Sequence, residues 1–268
     1  MHSSPTFEEL VAEGASVPVE GWDFSWFEGR ATEERPSWGY SSLLAGRIAD
    51  ADAALDLQTG GGEVLAGVPH LPRLVAATES WPPNLVVAAK HLHPRGAWVV
   101  AAADGGDLPF AAASFDLVVS RHPTMTRWEE VARVLIPGGT YLAQHVGAGT
   151  VRELTDFMMG PQPVNEAHTT ERAVAGAEAA GLVVVDLRHE SLRDVFYDIA
   201  AVVHFLRKVI WIVPGFTVDR YRDRLADLHG CMLSEGPFVA HAQRFLIEAR
   251  KPPAVSPPSG SARPDHRG

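Results

Sequence analysis

The chain has 268 residues, 46% hydrophobic and 21% charged, with 23 basic and 33 acidic side chains and a net charge of −10. This composition excludes a globally disordered chain and supplies enough apolar material for one large α/β domain with insertions. The acidic balance, with a pI of about 5.6, argues against nucleic acid as a bulk partner, and the single cysteine, Cys231, excludes an internal disulfide or a cysteine-rich zinc site.

The opening segment, MHSSPTFEELVAEG, is acidic and lacks an apolar run, so it does not read as a secretory signal. Residues 1–50 read as an N-terminal arm carrying Trp22, Phe24, Trp26, Phe27, Trp38 and Tyr40. Within it, Pro36 to Ala49 predicts a helix, with Leu43, Leu44 and Ile48 at helical spacing. The arm is expected to pack on the main domain, where its aromatics would serve as part of a lid.

The main domain is expected over 51–251. Apolar runs at Ala53 to Leu57, Leu74 to Thr78, Trp98 to Ala103, Phe115 to Ser120, Thr140 to Val146 and Leu182 to Leu187 read as strands. Helical patterns at Leu85 to Leu92, Trp128 to Leu135 and Glu171 to Ala180 lie between them, the second ending at Pro137-Gly138-Gly139. Strands without strict alternation, separated by helices, predict a parallel sheet covered on both faces. Asp194 to Trp211 and Val218 to Leu233 read as two helices of an insertion over 194–235, expected to roof a ligand crevice. Ile199 to Val213 is broken by His204, Arg207 and Lys208 and is too short to span a bilayer. Arg207 and Lys208 read as solvated surface, and Cys231 as a small core hydrophobe. Arg244 to Ala249 reads as the last strand, and the Pro/Ser/Gly-rich 252–268 as a disordered tail.

The segment LDLQTGGGEVL (55–65) is a strand, a glycine turn and a helix start, a design that lets backbone approach a ligand. Glu79 closes the second strand about 20 residues after Asp56, where a carboxylate accepts ribose hydroxyls. Asp104 closes the third strand, where a carboxylate can accept from an adenine amine. In a parallel sheet these ends share one crevice, so the three segments point to a nucleoside-like ligand. A dinucleotide fingerprint wants a third glycine where Leu65 stands, and Glu63 at the helix start would oppose a pyrophosphate. Both features favour a ligand without phosphates.

These residues, with ATE (77–79), ADGGDLPF (103–110), SFDLVVS (114–120) and EEVARVLIPGGTYL (129–142), resemble the class I S-adenosylmethionine-dependent methyltransferases of the type 11 group over roughly 53–146. The resemblance implies a Rossmann-like, doubly wound, mostly parallel seven-stranded sheet. Its last strand, here Arg244 to Ala249, would run antiparallel between the fifth and sixth. The resemblance also implies a set of cofactor contacts. Asp56 would support the glycine loop and the methionine ammonium, and Gly60 and Gly62 would give backbone access. Glu79 would hold the ribose, Trp81 would pack on the adenine, and Asp104 with the Gly105 N–H would read the adenine edge. Ser120 and Arg121 would border the sulfonium and the substrate. Gln58 departs from the family's usual glycine and would narrow the methionine end or add a hydrogen bond.

Methyl transfer needs alignment, and a base only when the acceptor must lose a proton. His122 is the candidate general base, with His145 a second candidate. His91 and His93 do not form a metal-binding pattern, HExxH is absent and Ser120 lacks a G-x-S-x-G turn, so neither a metal nor a serine nucleophile is expected. The sequence therefore reads as a cytoplasmic, bacterial methyltransferase (EC 2.1.1.-) acting on a small-molecule acceptor. The bacterial reading rests on abundant alanine and the preference for arginine over lysine. An RNA methyltransferase, an S-adenosylmethionine-binding protein without transferase activity and an NAD-dependent oxidoreductase are the alternatives.

Overall fold

The computed structural model describes residues 5–19 and 24–254. Trp22 of the arm and 255–268 of the expected tail lie outside the described residues. The first element is helix α1 (Phe7–Ser16), started by a capping box in which Thr6 and Glu9 satisfy each other's backbone N–H groups. A short 3₁₀ turn (Ser25–Phe27) and strand β1 (Ala31–Glu33) follow, then helix α2 (Tyr40–Ala49). The predicted start of α2 at Pro36 moves to Tyr40, because Pro36 to Gly39 form a turn instead.

The alternating region gives β2 (Ala53–Leu57), α3 (Glu63–Ala66), β3 (Leu74–Glu79), α4 (Pro82–Leu92), β4 (Trp98–Ala101) and β5 (Phe115–Arg121). It continues with α5 (Trp128–Val134), β6 (Leu135–Val146), α6 (Arg152–Met159), α7 (Thr170–Ala179) and β7 (Val183–Phe196). Helices α8 (Ile199–Lys208) and α9 (Arg222–Glu235) precede the last strand, β8 (Phe238–Arg250). The strand order is β1-β7-β8-β6-β5-β2-β3-β4. Strands β2 to β6 are mutually parallel, and β8 runs antiparallel between β6 and β7. This is the expected doubly wound sheet with its antiparallel last strand, and the arm adds an eighth strand at the edge.

Leu44, Ile48, Val75, Val119 and Leu246 pack on one face under α2 and α4, and Leu55, Val118, Tyr141, Phe245 and Ala177 on the other under α5 and α7. Beyond the sheet, β7 and β8 run on together to Phe196↔Phe238 and carry a cap with its own core. There α1, α6, α8 and α9 enclose Leu154, Val203, Leu206, Leu225 and Leu228. The contact of α1 with α8 is close enough that a Cβ on Gly14 would collide with the Ala200 carbonyl.

Several expectations change here. Residues 194–196 belong to strand β7, since the ladder with β8 continues through them. The helix starts only at Ile199, where the Asp198 side chain accepts the Ala201 N–H at 2.8 Å. Arg207 is not solvated: it donates to the Gly14 and Val17 carbonyls at 2.8 and 2.9 Å, clamping α1. Lys208 is buried, with its ammonium over the Phe24 ring. Cys231 is exposed on α9, whose buried stripe is Leu225 and Leu228. Ile199, Val202 and Leu206 form the cap core, whereas Ile210 and Trp211 face outward. Among the described residues, no helix is long and apolar enough to cross a membrane.

Candidate functional site

The parallel register brings the carboxyl ends of β2, β3, β4 and β5 together, with Leu57 beside Ser120 and Glu79 beside Ala101. Asp56 lies buried at the end of β2. Burial raises its carboxyl to about 7, against a hydrogen bond from the Thr59 hydroxyl at 2.6 Å, and Glu79 pushes in the same direction as burial. The chain then turns through Gly60 and Gly62, both at positive φ. A Cβ on Gly62 would press on Leu92 of α4 at 2.9 Å, so glycine is required there for the turn and for helix packing.

Glu79 is the organising carboxylate of this edge. One oxygen accepts the Gly60 N–H at 2.8 Å, and the other accepts Ser80 N–H at 2.9 Å and Trp81 N–H at 2.8 Å. It therefore ties the glycine turn to the start of α4 while staying buried. Trp81 stands at the start of α4 and is 48% exposed. Ser120 is buried at the crevice: its hydroxyl donates to the Leu57 carbonyl at 2.8 Å, and its carbonyl accepts the Tyr40 hydroxyl at 2.9 Å.

The segment after β5 lies over the crevice. Gln58, at a φ of 54°, donates through Nε2 to the Met125 carbonyl at 2.7 Å and accepts the Thr124 N–H at 2.7 Å. The Thr124 hydroxyl sits 2.8 Å from an Asp104 oxygen and 3.1 Å from Gln58 Oε1. Arg127 donates to the Gly105 carbonyl. The cavity beneath is lined by Leu57, Gln58, Thr78, Asp104, Ser120 and Tyr141 and measures about 20 Å³, room for about one water. Gln58 is thus a latch for residues 124–125, a role the sequence indicated only as an unusual side chain in a glycine position.

On the other side of β5, the arm reaches the same edge. The Trp38 indole N–H donates to Gln144 Oε1 at 2.8 Å, and Gln144 Nε2 lies 2.8 Å from His122 Nε2. The His122 backbone has a φ of 57° and is held by the Gln144 carbonyl at 2.6 Å. Burial, with the Arg244 and Arg121 guanidiniums and His145 nearby, holds the His122 imidazole well below its usual range. His145 is buried against Phe245 and pushed down to about 3, chiefly by burial. Gln144 is the residue sequence reasoning did not connect to the site, whereas Trp38 and Tyr40 were expected only as aromatics of the lid-forming arm.

Next to His122 the edge is charged. Arg121 is exposed, and its guanidinium has no hydrogen bond or ion pair among the described residues. Arg244 pairs with Glu33 at 2.6 Å. Glu33 is the register partner of Asp194, whose Oδ1 is buried without a partner and whose carboxyl burial raises to about 7. Among the described residues, no group of three His, Cys, Asp or Glu is arranged to hold a metal.

The donor set fits an adenosyl ligand in kind: carboxylates Glu79 and Asp104 on adjacent strand ends beside a glycine turn, with no phosphate-binding third glycine. Residues 55–143 match the family model described as a methyltransferase domain. No curated protein sequence matches the chain. Among solved structures, the chain is similar to a candidate methyltransferase of Bacillus halodurans, at 19% identity and a TM-score of 0.57 over 79% of this chain and 98% of that one. It is similar to the YcgJ protein of Bacillus subtilis, at 17% identity and a TM-score of 0.58 over 80% and 98%. It is also similar to the [4+2]-cyclase SpnF, at 18% identity and a TM-score of 0.51 over 94% and 98%. At these identities the likeness is one of fold.

Proposed function

With a domain of the class I S-adenosylmethionine-dependent methyltransferase family at its centre, we propose that this protein transfers a methyl group from S-adenosylmethionine to a small-molecule acceptor. The observation that carries this reading is the set of carboxylates at the ends of β2, β3 and β4, gathered around a glycine turn that lacks phosphate-binding features. S-adenosylmethionine supplies an electrophilic methyl on a sulfonium. Glu79 would hold the ribose and Asp104 the adenine amine, with Trp81 and Gly105 beside the base. Asp56, Gln58, Gly60 and Gly62 would line the methionine end, and Ser120 and Arg121 the reacting end. His122 is the candidate residue at the reacting centre.

For this, residues 124–125 would leave Asp104 and Gln58, because their hydrogen bonds occupy the Asp104 carboxylate and the Gln58 amide that would face the cofactor. Direct displacement then asks the protein for alignment and exclusion of water. The arm and the cap would supply surfaces for both: Tyr40 and Trp38 hydrogen-bond to the edge from one side, and the cap core packs on the ends of β7 and β8 beyond it. The small acceptor is favoured by the acidic charge of −10. A second reading has a specific observation behind it. The fold is shared with a [4+2]-cyclase, so fold alone does not decide methyl transfer, and a cofactor-binding protein without transferase activity is the competing function. An RNA methyltransferase is the third. Incubation with methyl-labelled S-adenosylmethionine and a small-molecule acceptor library, with bulk RNA in parallel, separates them: label in small molecules, label in RNA, or cofactor binding without transfer.

A further inference from the structure

The chain Trp38–Gln144–His122 settles where the histidine proton sits. An indole N–H only donates, so the Gln144 atom facing Trp38 is its carbonyl oxygen. Its amide nitrogen therefore faces His122 and donates to Nε2 at 2.8 Å. An Nε2 that accepts carries no proton, so the neutral ring holds its proton on Nδ1. Protonating Nε2 would set two donors against each other, beside the cations Arg244 and Arg121. The ring cannot turn away easily, since its backbone is fixed by the Gln144 carbonyl at 2.6 Å and its Nε2 by the same residue's side chain. Nδ1–H is left as a donor with no protein partner among the described residues, on a half-buried residue. Arg121, one residue earlier, is an exposed residue whose guanidinium makes no hydrogen bond or ion pair among the described residues.

We infer that Arg121 and His122 form a binding edge for an anionic oxygen, with His122 held as a neutral donor through Nδ1 in place of a general base. The cation gives the charge, and the imidazole N–H gives direction. The inference rests on the methyltransferase reading only for the source of the oxygen, which is a carboxylate of the acceptor or that of the cofactor's methionine. Trp38 and Gln144 are positioning residues, which explains why an N-terminal arm reaches across the sheet to a glutamine on β6.

The test is long-range ¹H–¹⁵N NMR of the histidine rings in the full chain between pH 5.5 and 8, free, with S-adenosylhomocysteine, and with S-adenosylhomocysteine plus benzoate or benzylamine. The expected result is an Nδ1–H tautomer for His122 that does not titrate over this range. Its Nδ1–H resonance should move saturably with a carboxylate. A shift with S-adenosylhomocysteine alone assigns the oxygen to the cofactor; a further shift with benzoate and none with benzylamine assigns it to the acceptor. Arg121→Gln should weaken the responding ligand about tenfold while leaving the tautomer in place. Trp38→Phe, which frees the Gln144 amide to flip, should give a mixture of tautomers. An Nε2–H ring, a ring that protonates near pH 6.5, or an Nδ1–H indifferent to both carboxylates overturns the inference. Failure of S-adenosylhomocysteine to bind, with the Nδ1–H tautomer and the benzoate response intact, counts against the cofactor and leaves the oxyanion edge standing.

Discussion

The latch over the crevice gives a quantitative expectation. A threonine hydroxyl has one proton, and of its two neighbours the Asp104 carboxylate is the nearer, at 2.8 Å against 3.1 Å for Gln58 Oε1. Thr124→Val removes that bond and keeps the branched shape. A hydrogen bond to a charged group is worth roughly 1.5–3 kcal/mol. Thr124 is exposed, so water competes for Asp104, and about 1 kcal/mol is the fitting figure. If the cofactor binds only the opened form, its apparent Kd follows the open fraction. A loss of about 1 kcal/mol from the closed form then tightens apparent binding roughly fivefold. Gln58→Gly removes two further bonds, at 2.7 Å each, at a backbone position whose φ of 54° suits glycine. The double variant should bind on the order of ten- to a hundredfold tighter. Calorimetric titration with S-adenosylhomocysteine reads this directly. Unchanged affinity in both variants would refute the latch, and weaker binding would mean that Thr124 and Gln58 hold the cofactor themselves.

Three other outcomes are expected. Glu79→Gln should loosen the glycine turn and the ribose contact together, lowering both cofactor affinity and thermal stability by roughly 1–3 kcal/mol; normal affinity in a normally stable variant would remove Glu79 from the site. Gly62→Ala should cost roughly 1–3 kcal/mol of unfolding free energy, from its φ of 79° and the overpacking against Leu92, measured by denaturant titration. Asp194 is held neutral up to about pH 7 in the fold but ionises near 3.9 in the unfolded chain, so the fold loses stability as pH rises from about 4 to about 7 and no more above that. Asp194→Asn should therefore stabilise the protein at pH 8, by up to about 4 kcal/mol, with the gain fading toward pH 4; a gain independent of pH would contradict the buried-carboxyl account.

The glycine turn, the carboxylates at the strand ends and the doubly wound order were legible because each rests on local signals. These are apolar runs of strand length, breakers at 60–62, 105–106 and 137–139, and acids at fixed distances from the turn. Strand β7 was cut short because the polar run Arg188 to Ser191 interrupts its apolar pattern, and only the long ladder with β8 keeps it extended to Phe196. Helix α6 was missed because the segment is short and its mean apolar content is low; its burial comes from Leu154 and Met158 meeting a cap built by distant elements. The site shows the same division. Asp56, Glu79 and Asp104 follow from spacing, whereas Trp38, Gln144 and Thr124 act across separations that no local pattern encodes. His122 sits where the sequence put it, at the end of β5, but its protonation is set by Gln144 on the neighbouring strand.

The most direct test of the central claim is calorimetric titration of the protein and of its Thr124→Val variant with S-adenosylmethionine, S-adenosylhomocysteine and NAD in parallel. Saturable binding of both adenosyl ligands, tighter in the variant, and none of NAD is the expected result. Binding of NAD alone, or binding of no ligand by either protein, would contradict it.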